Sequence, residues 1–374
     1  MRADARGLYV HIPFCLKKCN YCDFCSFSDL SDEVRQKYIE RLLCEILEYK
    51  SEPKIQIDTI FFGGGTPSLL SEAEFRFITE KIGEVFDVSE NCEFTVESNP
   101  KTLTREKLIA YKACGVNRLS IGLQSIHENE QKILGRIHNF DDFLESYRTT
   151  REVGIDNINV DIMYSIPSQT LESFEKTLDA VISLMPEHIS AYSLILEEGT
   201  PLYQKQSELS LPTLDEECRM YDILCERMST AGYRHYEISN YAKPGRECRH
   251  NLVYWRAMEY LGVGVAAHSC FGGVRFSNSE KLSEYLTENY KEYRTEEKIG
   301  NSEREYEYAM LALRLSEGID LLEYRARFGK DFLEGKADVA SSLAAHGLAY
   351  TKDGHFSLTK KGFYVSNEII CRLL

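Results

Sequence analysis

The stretch His11-Ile12-Pro13-Phe14-Cys15-Leu16-Lys17-Lys18-Cys19-Asn20-Tyr21-Cys22-Asp23-Phe24 decides how the rest of the chain is read. It places three cysteines in a C-x3-C-x2-C spacing, directly after an apolar run, Leu8 to Ile12, that reads as a short strand. A [4Fe-4S] cube is ordinarily held by four thiolates. Cys15, Cys19 and Cys22 on one loop would hold three corners and leave the fourth iron open to a small ligand, as an open catalytic metal position is. Other uses of the spacing fit less well. Cys19, Cys22 and Cys25 trace part of the bacterial ferredoxin run, but its closing Cys-Pro is missing. Structural zinc needs a second ligand pair, and no C-x2-C or H-x3-H occurs further along. A redox dithiol would leave Cys15 unused. Cys25 stays as an extra thiol that could misassemble a cluster.

The three-cysteine stretch resembles the radical S-adenosylmethionine (SAM) signature, in which the amino and carboxylate groups of SAM occupy the open iron. Past Phe24 the chain alternates regularly between helix and strand. Ser31 reads as an N-cap, with Asp32 and Glu33 in the first turn of a helix running to about Tyr49. Ile57 to Phe62 is a strand ending in Gly63-Gly64-Gly65-Thr66-Pro67. Ser71 and Glu74 form a capping-box pair before a helix carrying Phe75, Ile78, Ile82 and Val85. Strands at Glu93 to Glu97, Asn117 to Leu123, Ile158 to Tyr164 and His188 to Leu196 are separated by helices from Thr104 to Cys114, Asp142 to Val153 and Leu171 to Leu184. Six strand–helix units predict a parallel sheet with right-handed crossovers. Six are too few for a closed eight-stranded barrel, so the expected fold is α/β, an open or partial (β/α)6 barrel.

Beyond Gly199 the alternation fades. Leu214 to Ser229 is helical by its apolar spacing, and Gly232 to Ser239 reads as one more strand or a sheet edge. Pro244-Gly245 opens a loop with Cys248, His250 and Trp255, and Glu280 to Glu303 reads as a solvated helix and linker. From Ser302 onward short helices and a hairpin around Lys352-Asp353-Gly354 predict a smaller α+β domain similar to a winged helix. The expected organisation is a core over 1–235, a connecting region over 236–300 and a C-terminal domain over 301–374.

Composition limits the partners. The chain has 374 residues, 43% hydrophobic and 28% charged, with a net charge of −15. No basic stripe offsets that charge, so nucleic acid is not an expected partner even with a winged-helix-like domain. No apolar stretch is long enough to span a bilayer, and the N-terminus lacks the apolar run of a signal peptide. Twelve scattered cysteines fit a reducing cytoplasm better than a disulfide scaffold.

Chemistry in such barrels sits at the C-terminal ends of the strands. The cysteine loop comes after strand one, the glycines after strand two, Glu97 after strand three and Gln124 after strand four; Asp161 and Ile195 lie near the ends of strands five and six. Gly64, Gly65 and Thr66 could let backbone approach the charged amino-acid end of SAM, or could simply make a tight turn. Glu97 can accept from ribose hydroxyls or an ammonium, Gln124 and Asp161 offer polar contacts, and Arg136 can pair with a carboxylate. Each alone reads equally well as a structural polar residue. As a set around a cluster they read as a ligand site.

These residues carry a nearly full-length resemblance to the oxygen-independent coproporphyrinogen III oxidase superfamily of radical SAM proteins. It runs through Tyr9-Val10-His11-Ile12-Pro13-Phe14-Cys15, Gly63 to Pro67, Glu97-Ser98-Asn99-Pro100, Arg118 to Ser125, Leu134-Gly135-Arg136 and Asp161 to Pro167. The resemblance implies a [4Fe-4S] cluster on Cys15, Cys19 and Cys22, and SAM contacts at Tyr9, Phe24, Gly64, Gly65, Thr66, Glu97, Gln124, Arg136, Asp161 and Ile195. Two branches differ. The decarboxylating enzymes usually carry a fourth cysteine two residues after the third, where this chain has Phe24. The branch of haem chaperones has Cys-Asp-Phe there, as here, and a His-Asn-x-x-Tyr-Trp motif matched by His250-Asn251-Leu252-Val253-Tyr254-Trp255. That branch implies haem as a ligand, apo-haemoproteins as recipients (peripheral contact with membrane haemoproteins among them), and no assigned catalytic side chain. The rival is decarboxylation of coproporphyrinogen III propionates. Within the haem reading His250 is the expected axial ligand, with Cys248 as its competitor.

Overall fold

The structure, a computed structural model, describes residues 6–374. Six parallel strands run side by side in sequence order: β1 (Gly7–Ile12), β2 (Gln56–Gly64), β3 (Asp87–Ser98), β4 (Arg118–Gln124), β5 (Asn157–Tyr164) and β6 (His188–Ser193). The helices between them pack outside: α1 (Asp32–Glu48), α2 (Glu72–Val85), α3 (Arg105–Ala113), α4 (Phe140–Val153) and α5 (Leu171–Ser183). Local signals set their ends. Ser31, Thr104 and Thr170 each accept from a first-turn amide, and Ser71 and Asn139 complete capping boxes with Glu74 and Asp142.

Period-two alternation then sorts the side chains. Leu8, Val10, Ile12, Ile60, Phe62, Val96, Leu119, Ile121, Ile158, Val160 and Ile162 belong to one buried core shared with the helices. The opposite face carries Tyr9, His11, Glu97, Ser120, Asn159, Asp161 and Ser190, and is therefore polar. One face builds the protein and the other is left for chemistry.

The sheet is larger than six strands. After α6 (Leu214–Thr230), β7 (Arg234–Glu237) and β8 (Asn240–Ala242) add antiparallel beyond β6. Then α7 (Arg249–Trp255) leads to β9 (Tyr260–Val263), which pairs in parallel with β1. β10 (His268–Phe271), β11 (Val274–Ser277) and β12 (Thr295–Lys298) extend that side, giving the order β12-β11-β10-β9-β1-β2-β3-β4-β5-β6-β8-β7. The segment 280–303 is not the solvated helix and linker that its charges predict. It buries Tyr285 and Tyr290 and ends in an edge strand, Thr-Glu-Glu-Lys, whose charges blunt the open edge. Glu45 of α1 locks this extension. Fully buried, it accepts from Gly264 N, Asn278 Nδ2, the Tyr285 hydroxyl and Arg294 Nη2 at 2.7–2.9 Å.

The C-terminal domain has its own core around Tyr308, Tyr324, Phe332, Phe356 and Ile370. It comprises α8 (Asn301–Ala312), β13 (Ile319–Asp320), α9 (Leu321–Phe328), α10 (Ala337–Ala345), β14 (Ala349–Lys352), β15 (His355–Leu358) and α11 (Ser366–Leu373). The hairpin turn holds Asp353 and Gly354 at positive φ, as a two-residue Asp-Gly turn requires. These helices with a small sheet, β13-β15-β14, match the expected winged-helix-like pattern. Among the described residues no helix is long and apolar enough to cross a membrane.

Candidate cluster and cofactor site

The cysteine loop leaves the end of β1 and is tied down from several sides. Cys15 N donates to Phe27 O, Phe27 N to Pro13 O, and Asn20 N to Leu134 O. His11 supports it from inside the barrel, with Nε2 2.8 Å from Cys25 O and Nδ1 3.0 Å from the Tyr9 hydroxyl. Burial lowers the His11 pKa to about 4, so the ring is neutral and can donate to one neighbour while accepting from the other.

The glycine turn after β2 packs directly on this loop. Gly65 N donates to Ile12 O and Thr66 N to Phe14 O. A Cβ on Gly65 would lie 2.7 Å from Phe14 O and 2.8 Å from the Pro13 carbonyl carbon, so only glycine fits. The tight-turn reading of these glycines thus holds in part: two of the amides are spent on the cysteine loop. Gly64 N donates instead to Glu97 Oε2 at 3.2 Å.

The three thiols share one neighbourhood. Cys15 Sγ is 3.7 Å from Thr66 Oγ1, and Cys19 Sγ lies 3.6 Å from Arg136 Nη1. Burial pushes the Cys22 thiol up, and the charges of Cys19 and Cys15 add to that rise. Among the described residues no three His, Cys, Asp or Glu side chains close on one point as ligands of a single ion do. Ligands on separate corners of a cube stand further apart than ligands around one ion, and three thiols spread along one loop can supply such corners. A hydroxyl and a guanidinium thus stand beside two of the sulfurs.

Arg136 is placed by Leu134-Gly135, where Gly135 takes a positive φ against Asn20 of the cysteine loop. Its Nη2 donates to Asn99 Oδ1 and Gly122 O, while Nε is buried with no partner among the described residues. That orphaned donor beside Cys19 suits an incoming carboxylate. Asn99 also donates to Thr66 Oγ1 at 2.9 Å and so joins two of the expected site residues, Thr66 and Arg136.

Glu97 and Asp161 face each other deeper in the barrel. Burial, then the charge of Asp161, raises the Glu97 pKa to about 8. Burial also raises Asp161, against hydrogen bonds from Asn159, Ser120 and Ser190 and the charge of Arg118. Arg118 is buried, its charge reaching Glu93 and Cys248 as well. Gln124 ends β4 at φ 70, and Gly122 gives room for both its amide and Arg136.

Tyr9, Phe24, Gly64 and Glu97 line one cavity of about 410 Å³ at the barrel mouth, together with His11, Cys25, Tyr254, Tyr260 and His268. Thr66, Asn99, Arg136 and Cys19 line a separate, smaller pocket of about 90 Å³. Phe24 and Ile195 are the most open of the expected contacts, at 67% and 66% exposed. His11, Asn99 and His138, the last 2.7 Å from Arg136 Nη2, belong to the site without being among the residues expected there. His11 and Asn99 lie inside the stretches that carry the family resemblance, and alternation along β1 alone turns His11 inward.

His250, the expected haem ligand, is enclosed by protein on every side. It lies at the start of α7, buried against the interior of β2 and stacked on Phe61 at 5.1 Å. Nδ1 is 2.8 Å from Thr59 Oγ1 and Nε2 2.8 Å from the Tyr254 hydroxyl. Burial lowers its pKa to about 3, and neither ring nitrogen faces an opening. Cys248, the rival, is likewise buried, 3.5 Å from Glu93 Oε1. Glu93 accepts from the amides of Arg249 and His250, which draws the motif into the barrel floor.

Comparison with known proteins shows similarity along the whole chain. The radical SAM superfamily profile matches residues 9–181, and the HemN C-terminal domain profile residues 301–365. The chain is 35% identical over 372 residues to the heme chaperone HemW of Bacillus subtilis, covering 97% of this chain and 98% of that one. It is 31% identical to the heme chaperone HemW of Escherichia coli, covering 97% of each. Among solved structures, Escherichia coli coproporphyrinogen III oxidase (HemN), a radical SAM enzyme, superposes with a TM-score of 0.84 at 22% identity, covering 99% of this chain and 90% of that one. That last likeness establishes the fold.

Proposed function

The chain belongs to the HemW family of radical SAM proteins, and from that membership we propose that it is a haem chaperone, binding haem and passing it to apo-haemoproteins. The single observation that carries this reading is similarity along the whole length to proteins named as haem chaperones. Phe24 at the position where the decarboxylating branch carries a further cysteine supports it.

In this proposal Cys15, Cys19 and Cys22 hold a [4Fe-4S] cluster, and SAM lies across Gly64, Gly65, Thr66, Glu97, Gln124, Arg136 and Asp161, with Tyr9, Phe24 and Ile195 around it. The cluster would supply one-electron chemistry or a redox-sensitive hold on SAM. The chain's own residues have separate tasks. Arg136 offers its unpartnered Nε to the SAM carboxylate, and Asn99 keeps the guanidinium in line. Glu97 and Asp161 give the cation and ribose a polar, partly desolvated wall. His11 and Tyr9 fix the cysteine loop above them. All twelve cysteines are free thiols, which suits a reducing cytoplasm.

The test is an anaerobic assay on cluster-loaded protein with SAM and reductant, offered haem and, separately, coproporphyrinogen III. Haem binding and transfer to an apo-haemoprotein, without porphyrinogen turnover, is the expected result. Conversion of the porphyrinogen to a vinyl product would overturn the chaperone reading in favour of decarboxylation.

A further inference from the structure

A second cavity, larger than the barrel mouth, lies where the sheet extension meets the C-terminal domain. It has a volume of about 900 Å³, between β9, β10 and β11 on one side and α8 and α9 on the other. Cofactor pockets fall in the range of roughly 300–1,000 Å³ and combine apolar walls with a few placed polar groups. Met258, Met310, Tyr308 and Phe328 supply such walls, and Cys270 opens onto the same space. Arg275 and Arg304 line it too, alongside Glu259, Glu305 and Glu307. Arg275 already pairs with Glu307 at 2.6 Å, whereas Arg304 reaches over Gly273 and has no ion pair among the described residues.

The two cavities stand back to back. Tyr254 and Tyr260 line both, and their rings meet edge to face at 4.6 Å. The partition is braced from behind by His250, whose Nε2 lies 2.8 Å from the Tyr254 hydroxyl. The motif that resembles a haem-ligand sequence therefore reaches the large cavity through Tyr254 and not through its imidazole.

We propose that the cleft between the sheet extension and the C-terminal domain is the haem site, separated from the SAM pocket by the Tyr254–Tyr260 partition. The proposal rests on the haem-chaperone reading above and supplies the location that reading lacks. Haem is a flat apolar disc with two carboxylates at one edge. The cleft offers aromatic and thioether walls for the disc and guanidinium groups for the carboxylates, in the bidentate manner arginine favours. No histidine lines it, so the side chains that suit the iron there are the sulfurs of Met258, Met310 and Cys270, both thioether and thiolate being haem ligands. Because the cleft has one wall on each domain, a shift of the C-terminal domain would open it, as release to a recipient requires.

The experiment titrates ferric haem into cluster-loaded protein, following the Soret band, for the parent and two variants. Arg275→Glu/Arg304→Glu reverses both guanidinium charges, and Leu311→Trp fills the cleft without altering charge. Cluster absorption and SAM affinity, read on the same samples, report that the barrel is intact. The expected result is at least a tenfold loss of haem affinity in both variants with cluster and SAM binding unchanged. Parental haem affinity in either variant would overturn the cleft as the site while leaving the chaperone reading standing. Absence of haem binding in the parent itself would instead sink the chaperone reading.

Discussion

Glu97→Gln probes whether the carboxyl at the end of β3 meets a positive charge on the bound cofactor. Its pKa is raised to about 8, first by burial and then by Asp161, from an ordinary 4.5. That rise means on the order of 5 kcal/mol opposes ionisation in the ligand-free site. At pH 7 roughly one molecule in ten carries the charge there. A sulfonium bound against Glu97 selects that fraction, so parental SAM affinity should rise about tenfold per pH unit up to pH 8 and level off above it. Glutamine removes this ionisation, and the ratio of the two affinities cancels any titration of SAM itself.

The same shift fixes a stability trend. Between about pH 4.5 and 8 the folded parent holds a proton that the unfolded chain has lost, so ligand-free stability falls as pH rises through that window. The variant lacks this loss and should overtake the parent in Tm by pH 8, with no such gain at pH 4. Equilibrium dialysis with labelled SAM and thermal melts, both anaerobic and across pH 6 to 9 and 4 to 9 respectively, measure the two effects. A constant affinity ratio between parent and variant across pH would refute the argument, because Glu97 would then meet only neutral hydroxyls.

Other changes address the frame of the site. Gly65→Ala forces a Cβ against the Phe14 and Pro13 backbone and should lower iron content per chain and the cluster's visible absorption, while the far-UV spectrum stays parental. Arg136→Lys keeps the charge but loses the planar fork, and should weaken SAM binding about tenfold with the cluster retained, as read by dialysis. Arg294→Ala leaves Glu45 buried without its cation, at 0% exposure, and should cost about 3–5 kcal/mol in denaturant unfolding; parental stability would mean that the Asn278, Tyr285 and Gly264 donors suffice alone.

The barrel half of the molecule is open to reading because local signals and periodicity agree there. The helices α1 to α5 begin at Ser, Thr or Asn caps, and each strand buries an alternate apolar set, so register and face come from residue type. The sheet extension is not, since β9 to β12 are four residues each and gain their pairing from β1 and from Glu45, both distant in sequence. One clue is present: Gly272-Gly273 between His268–Phe271 and Val274–Ser277 is a two-residue hairpin turn, and both glycines take positive φ. The site residues at strand ends are legible for the same reason as the strands. His138 is not, because its role is to hold Arg136, and a hydrogen-bond partner leaves no spacing in the sequence.

His250 illustrates how a loss of binding can mislead about a ligand. Replacing it with alanine removes a buried ring wedged between Thr59, Phe61 and Tyr254, and so frees the tyrosine that divides the two cavities. Haem affinity should fall whether the imidazole binds iron or only braces Tyr254. The coordination spectrum separates the cases. If His250 were axial, His250→Ala would change the ferric haem spectrum and Tyr254→Phe, which keeps the ring and loses only the hydroxyl, would not. With His250 acting through Tyr254, Tyr254→Phe should reproduce part of the affinity loss, and both variants should keep the parental spectrum in the haem they still bind. A spectrum altered by His250→Ala alone would move the haem out of the cleft and into the barrel floor. That would require Thr59 or Tyr254 to release a ring nitrogen that each now engages at 2.8 Å.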